Sequence, residues 1–154
     1  MLFTPDGKQI TRVPHTADFT KAVRLLGDRR AEAVRHEVHR IIDEMAPDTE
    51  TGRRTFSSSQ VGSALKPWPY PLAGLYDIAL EIEGNDTTGR QVYDRAGFML
   101  GLFVWECLMA RKERWVLYDH DVNQTDPHRA ITDTVYVEQG EDETITKHQQ
   151  RKRG

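Results

Sequence analysis

The stretch that most limits what this chain can fold into is residues 96–110, AGFMLGLFVWECLMA. It is the most apolar run in the sequence and carries one charge, Glu106. Its apolar side chains recur at helical spacing on every side rather than along one stripe. A helix apolar all round is buried in a core, in a subunit interface or in lipid. The run is shorter than the roughly 20 residues that span a bilayer, and Glu106 interrupts it. The expectation is therefore a central helix around which the chain packs, with no membrane partner. Glu106 reads as the solvent-facing edge of that helix.

Composition supports this picture. A chain of 154 residues suits one domain with a core of its own. The net charge of −3 opposes a uniformly basic nucleic-acid coat but leaves room for a local basic face. One cysteine, Cys107, permits no internal disulfide, which suits a cytoplasmic protein. The first residues, MLFTPDGKQ, lack the basic and apolar regions of a signal peptide.

Read in order, residues 2–13 form a hairpin. Pro5, Asp6 and Gly7 make its turn, and residues 9–13 alternate as a half-buried strand. Thr16 caps a first helix with Phe19, Val23 and Leu26 inward, and Gly27 ends it. Asp28 caps a second helix over 29–45, whose stripe is Ala31, Val34, Val38, Ile41, Ile42 and Met45. Ser57 or Ser58 caps a short helix over 59–65, with Val61, Ala64 and Leu65 inward. Lys66 opens a connector with prolines at 67, 69 and 71, too proline-rich for helix interior. A further helix buries Leu75, Ile78, Ala79 and Ile82. The long helix follows, to about Lys112. Residues 115–118 and 131–137 are β-prone and pair as a hairpin, with the N-terminal strand as a candidate third member. The fold class is α+β, about five helices around the apolar one with a small antiparallel sheet. Residues 1–138 form the single globular domain. Residues 139–154 read as a flexible charged tail, acidic first and basic last.

Several short motifs invite chemistry and have plainer explanations. His36 and His39 stand one residue short of the zinc-protease spacing. Glu32, His36, His39 and Asp43 still share a helix face that suits a metal, but a solvated face explains them. Asp119, Asp121 and Asn123 begin like a calcium loop, yet Gln124 and Ala130 stand where such a loop needs Gly and Glu. The Asp119, His120, Asp121 cluster has no defined catalytic partner. Cys107, among apolar neighbours, reads as an inert core thiol. No phosphate loop, paired-cysteine motif or nucleophile elbow occurs, so the reading assigns no catalytic residue, no metal and no cofactor.

Two non-enzymatic functions lead, and an enzyme using Asp119, His120 and Asp121 or the His36 and His39 face is the third alternative. Phe56, Ser57 and Ser58 before a short helix bearing Val61 and Leu65 are similar to the second helix of winged helix-turn-helix domains. That resemblance makes the terminal hairpin the wing and implies DNA binding and transcription regulation. The phosphate-contacting residues would be Lys21, Arg24, Arg29, Arg30, Arg35, Arg40, Arg53, Arg54 and Lys66. Opposing it, the helix before the hairpin is too apolar to offer polar groups to base edges. The alternative is a protein-interaction module, a homodimer or an adaptor, without nucleic acid. Its anchors would be Trp68 and Tyr70 in the stiff connector. Gly97 and Gly101 would admit a second helix, since glycine costs about 1 kcal/mol in a helix and needs an offsetting gain.

Overall fold

The computed structural model describes residues 1–65, 75, 79, 89–118 and 134–140. Its elements in chain order are β1 (Leu2–Phe3), β2 (Gln9–Ile10), α1 (Thr16–Leu26), α2 (Asp28–Glu44), β3 (Thr55–Ser57), α3 (Ser58–Ala64), α4 (Gly89–Ala110), β4 (Arg114–Tyr118) and β5 (Val135–Gln139). The fold is α+β. Its sheet is not the small antiparallel one expected but five-stranded and mixed, in the order β2-β1-β4-β5-β3, because the N-terminal strand joins β4 in parallel. β1 runs parallel to β4, and the other neighbours are antiparallel.

The apolar run behaves as its pattern requires. In α4, Ala96, Phe98, Met99, Leu100, Leu102, Phe103, Val104, Cys107 and Leu108 are buried, covering every side of the helix. The cover is this chain's own: α1, α2, α3 and β1 all pack on α4. Gly62 brings α3 close, since a Cβ there would stand 3.4 Å from Leu100. Gly101 is buried and Gly97 half-buried. Among the described residues, no helix is long and apolar enough to cross a membrane.

One face of the sheet closes the core. Leu2, Trp115, Leu117, Tyr136 and Phe56 join the core cluster, as alternation along paired strands demands. Phe56 meets Trp115 edge-on at 5.3 Å between ring centroids. β4 and β5 pair as expected, but they do not stand alone at an edge. β1 flanks them on one side and β3 on the other, so the hairpin is the middle of the sheet.

Several boundaries move. The first hairpin forms around Gly7, at φ 94°, but its second strand stops at Ile10 rather than Val13. Thr16 begins α1 instead of capping it. The position before it is His15 at φ 53°, and the Thr16 hydroxyl donates to the Val13 carbonyl at 2.9 Å. Asp28 likewise begins α2, because Gly27 at φ 81° makes the break. α3 starts one residue early at Ser58, and the Ser57 N–H donates to Gln60 Oε1 at 2.7 Å. Ala64 is exposed rather than inward, since the helix ends there. β3 was not expected at all. β5 runs through Gln139, the first residue of the stretch read as tail. Leu75 and Ala79 are helical and fully buried, as expected of them. The rest of their helix, the connector with Lys66, Trp68 and Tyr70, the 119–133 loop with Asp119, His120 and Asp121, and residues 141–154 lie outside the described residues.

Candidate interaction cleft

The basic residues fall into two groups, and the division is geometric. At the sheet end of the molecule, Arg54 is fully engaged. Its Nε and Nη2 bind both Glu138 oxygens at 2.9 and 2.7 Å, Nη2 reaches Glu113 at 3.3 Å, and Nη1 donates to the Ile42 carbonyl at 2.9 Å. Its guanidinium also lies 5.2 Å from the centre of the Trp115 ring. Arg111 binds Asp43 and Glu113, and its Nη1 donates to His39 Nδ1 at 3.0 Å. Burial raises the Glu113 carboxyl, but the hydrogen bonds and charge of Arg111 outweigh it and hold the group at about 2. Burial, then the Arg111 charge, pulls His39 below its ordinary value. The His39 and Asp43 face read as a candidate metal site is thus occupied by Arg111. Among the described residues, no three His, Cys, Asp or Glu side chains cluster to hold an ion.

Arg35 and Arg40 of α2 are engaged as well. Arg35 grips Glu106 at 2.6 and 3.3 Å and Glu32 at 2.6 Å. Glu106 therefore does not simply face solvent, as its place in the run suggested; it is the half-buried partner of a cation on a neighbouring helix. Arg40 binds Glu37 at 2.5 Å and Glu44 at 2.9 Å. Arg30 reaches back to the end of α1, donating to the Leu26 and Leu25 carbonyls at 2.7 and 3.0 Å. These are carbonyls that a helix end leaves without partners. Arg53 is half-buried, its guanidinium against Gly140. Cys107 is buried and its thiol is pushed up to about 12 by burial, which leaves it unreactive.

Lys21, Arg24 and Arg29 differ. All three are exposed, and among the described residues none has an ion-pair or hydrogen-bond partner for its side chain. Arg24 stands in the last turn of α1 and Arg29 in the first turn of α2, on either side of the Gly27 break at the α1–α2 corner, and Lys21 lies one turn before Arg24. At that corner lies a cleft of about 510 Å³, open to solvent. It is lined by Phe19, Thr20, Val23, Arg24, Gly27, Asp28 and Arg35. Phe19 is anchored beneath by Phe103, edge-on at 5.0 Å, and Arg35 lies 5.6 Å over the same ring. The cleft thus offers the Phe19 and Val23 side chains next to the engaged Arg35, with Arg24 and the carboxylate of Asp28 also in its lining.

Of the nine residues read as phosphate contacts, three keep free charge, five are held within the protein, and Lys66 lies outside the described residues. Sequence reasoning named Arg24 and Arg35 but missed the cleft between them. The Gly27 break flanked by Phe19, Val23 and cations was its only available signal. Comparison with protein-family models, with curated proteins and with solved structures finds no match.

Proposed function

We propose that the protein is a non-enzymatic interaction module, an adaptor that binds another protein at the α1–α2 corner. The observation that carries this reading is a cleft lined by Phe19, Val23 and Arg24, with Lys21 and Arg29 close by in sequence, three cations without a side-chain partner among the described residues. Interfaces draw energy from an apolar centre and orientation from a charged rim, and both are combined here. Selection from a random linear peptide library tests it. The expected result is enrichment of a shared sequence pattern that binds the purified protein. Recovery of no binding sequence overturns the proposal.

A second reading is DNA binding by a winged-helix-like regulator, with α3 as second helix and β4–β5 as wing. Lys21, Arg24 and Arg29 favour it, since uncommitted cations are what phosphates need. The internal engagement of Arg35, Arg40 and Arg54 weighs against it, as does a hairpin flanked by strands on both sides. A gel shift on random duplex at low salt separates the two: salt-sensitive binding at micromolar protein supports DNA. Light scattering tests a second copy of the chain as the partner, for which a strict monomer at high concentration is the excluding result.

A further inference from the structure

Resting on the interaction-module reading, we propose that the α1–α2 cleft takes an acidic peptide segment bearing one bulky apolar side chain. That side chain seats on Phe19 and Val23, and the segment's carboxylates face Arg24, Lys21 and Arg29.

The chemistry follows from what the cleft has left to offer. Arg35 lines it but is neutralised by Glu106 and Glu32, and its guanidinium is held over the Phe103 ring. A small anion would have to displace Glu106 from a two-contact grip, so the cleft floor is not an anion site. The floor instead offers apolar surface, with Val23 half-buried and thus partly wet. The free charge stands outside the floor, on the exposed positions of both helices. Asp18, Asp28 and Glu32 are the carboxylates nearby in sequence; Glu32 is held by Arg35, so the three cations without a partner among the described residues outnumber the other two. A ligand matching this pattern is apolar at one point and negative around it. A polypeptide segment meets both demands, because it can lie along α1 and place charges beyond the cleft mouth. Duplex DNA brings phosphate but no apolar side chain for the floor.

The experiment uses the library-selected peptides and three variants of the whole chain. Thr20→Trp fills the cleft from an exposed helical position, Arg24→Glu reverses the rim, and Lys8→Glu makes the same charge change on the distant hairpin. Folding of each is checked by its melting curve. The expected result is that selected peptides carry Asp or Glu around a Phe, Leu, Ile or Trp. Thr20→Trp and Arg24→Glu each weaken binding about tenfold or more, Lys8→Glu leaves it unchanged, and added salt weakens it. Peptides without acidic residues overturn the inference. So do acidic peptides that bind the first two variants as tightly as the parent, which would leave the module reading standing with its site elsewhere. Failure to select any peptide removes both readings. Duplex binding lost in Arg24→Glu and absent for peptides overturns the inference in favour of nucleic acid.

Discussion

Two ends of this molecule use arginine in opposite ways. Near the sheet, Arg54 and Arg111 tie α2, β3, β5 and the turn after α4 into one network, with Glu113 as the shared acceptor. At the α1–α2 corner, Lys21, Arg24 and Arg29 have no side-chain partner among the described residues. The same residue type, almost equally basic in sequence, is structural at one end and available at the other. Basic composition of a segment is therefore no measure of a binding surface until the acceptors are counted.

The largest effect should come from breaking the sheet-end network at its centre. Arg54→Met removes both arms to Glu138, the contact to Glu113 and the donor to the Ile42 carbonyl. It leaves Glu138 half-buried without its cation and Glu113 with Arg111 alone. The expected loss is about 3 kcal/mol of unfolding free energy, measured in urea, because stranded partners cost more than the bond itself. A loss under about 0.5 kcal/mol would reduce this network to the status of a surface ion pair and erase the contrast between the two ends.

Acid should dismantle the same network in two stages. His39 Nδ1 accepts from Arg111, which only donates, so the folded protein needs the neutral ring. With its folded value below 6.5, the unfolded chain takes the proton first. Stability is then full above pH 6.5 and declines as pH falls below it. Glu113 moves from 4.5 to about 2, so its contribution holds above pH 4.5 and is lost as pH falls toward 2. That second stage is worth on the order of 2 kcal/mol, and Glu138, lowered chiefly by its hydrogen bond from Arg54, adds to it. His39→Gln should abolish the first stage and keep the second, as read from urea melts across pH. If His39→Gln leaves the decline below pH 6.5 intact, the Arg111 link is not its source.

What the sequence disclosed, and what it hid, follows the same divide. Periodicity located α1, α2 and α4 because burial imposes it locally: the stripe from Ala31 to Ile42 is buried throughout. The strand at residues 55–57 stayed hidden because three residues are too few to show alternation, and because only pairing with β5, far along the chain, makes it a strand. The acceptors were hidden for the same reason. Glu106 lies 71 residues from Arg35, and Glu138 lies 84 from Arg54, so nothing in either neighbourhood announces the other. The candidate cleft was legible only in pieces: Phe19, Val23 and Gly27 were each placed correctly, but an open groove is a property of two packed helices.

Between the two ends stands the pair Arg35–Glu106, half-buried and bidentate. A double-mutant cycle with Arg35→Met and Glu106→Gln should give a coupling of about 1 kcal/mol. A coupling near zero would leave Glu32 as the partner that holds Arg35 and weaken the case that the cleft floor is closed to anions.

The smallest effects belong to the corner, and their signs carry the information. Arg24 sits in the last turn of α1, where positive charge is favoured by the helix dipole, and Arg29 sits in the first turn of α2, where it is not. If neither has a tertiary partner, only the dipole and its near neighbours act on them. Arg24→Glu should then destabilise by a few tenths of a kcal/mol, and Arg29→Glu should stabilise by a similar amount. Thermal melts at low salt resolve this, and added salt should shrink both shifts. Two losses of the same sign, each above about 1 kcal/mol, would mean that the corner is wired into the fold as the sheet end is. Opposite signs of small size would mean that nothing in the chain uses these charges, which leaves them to a partner.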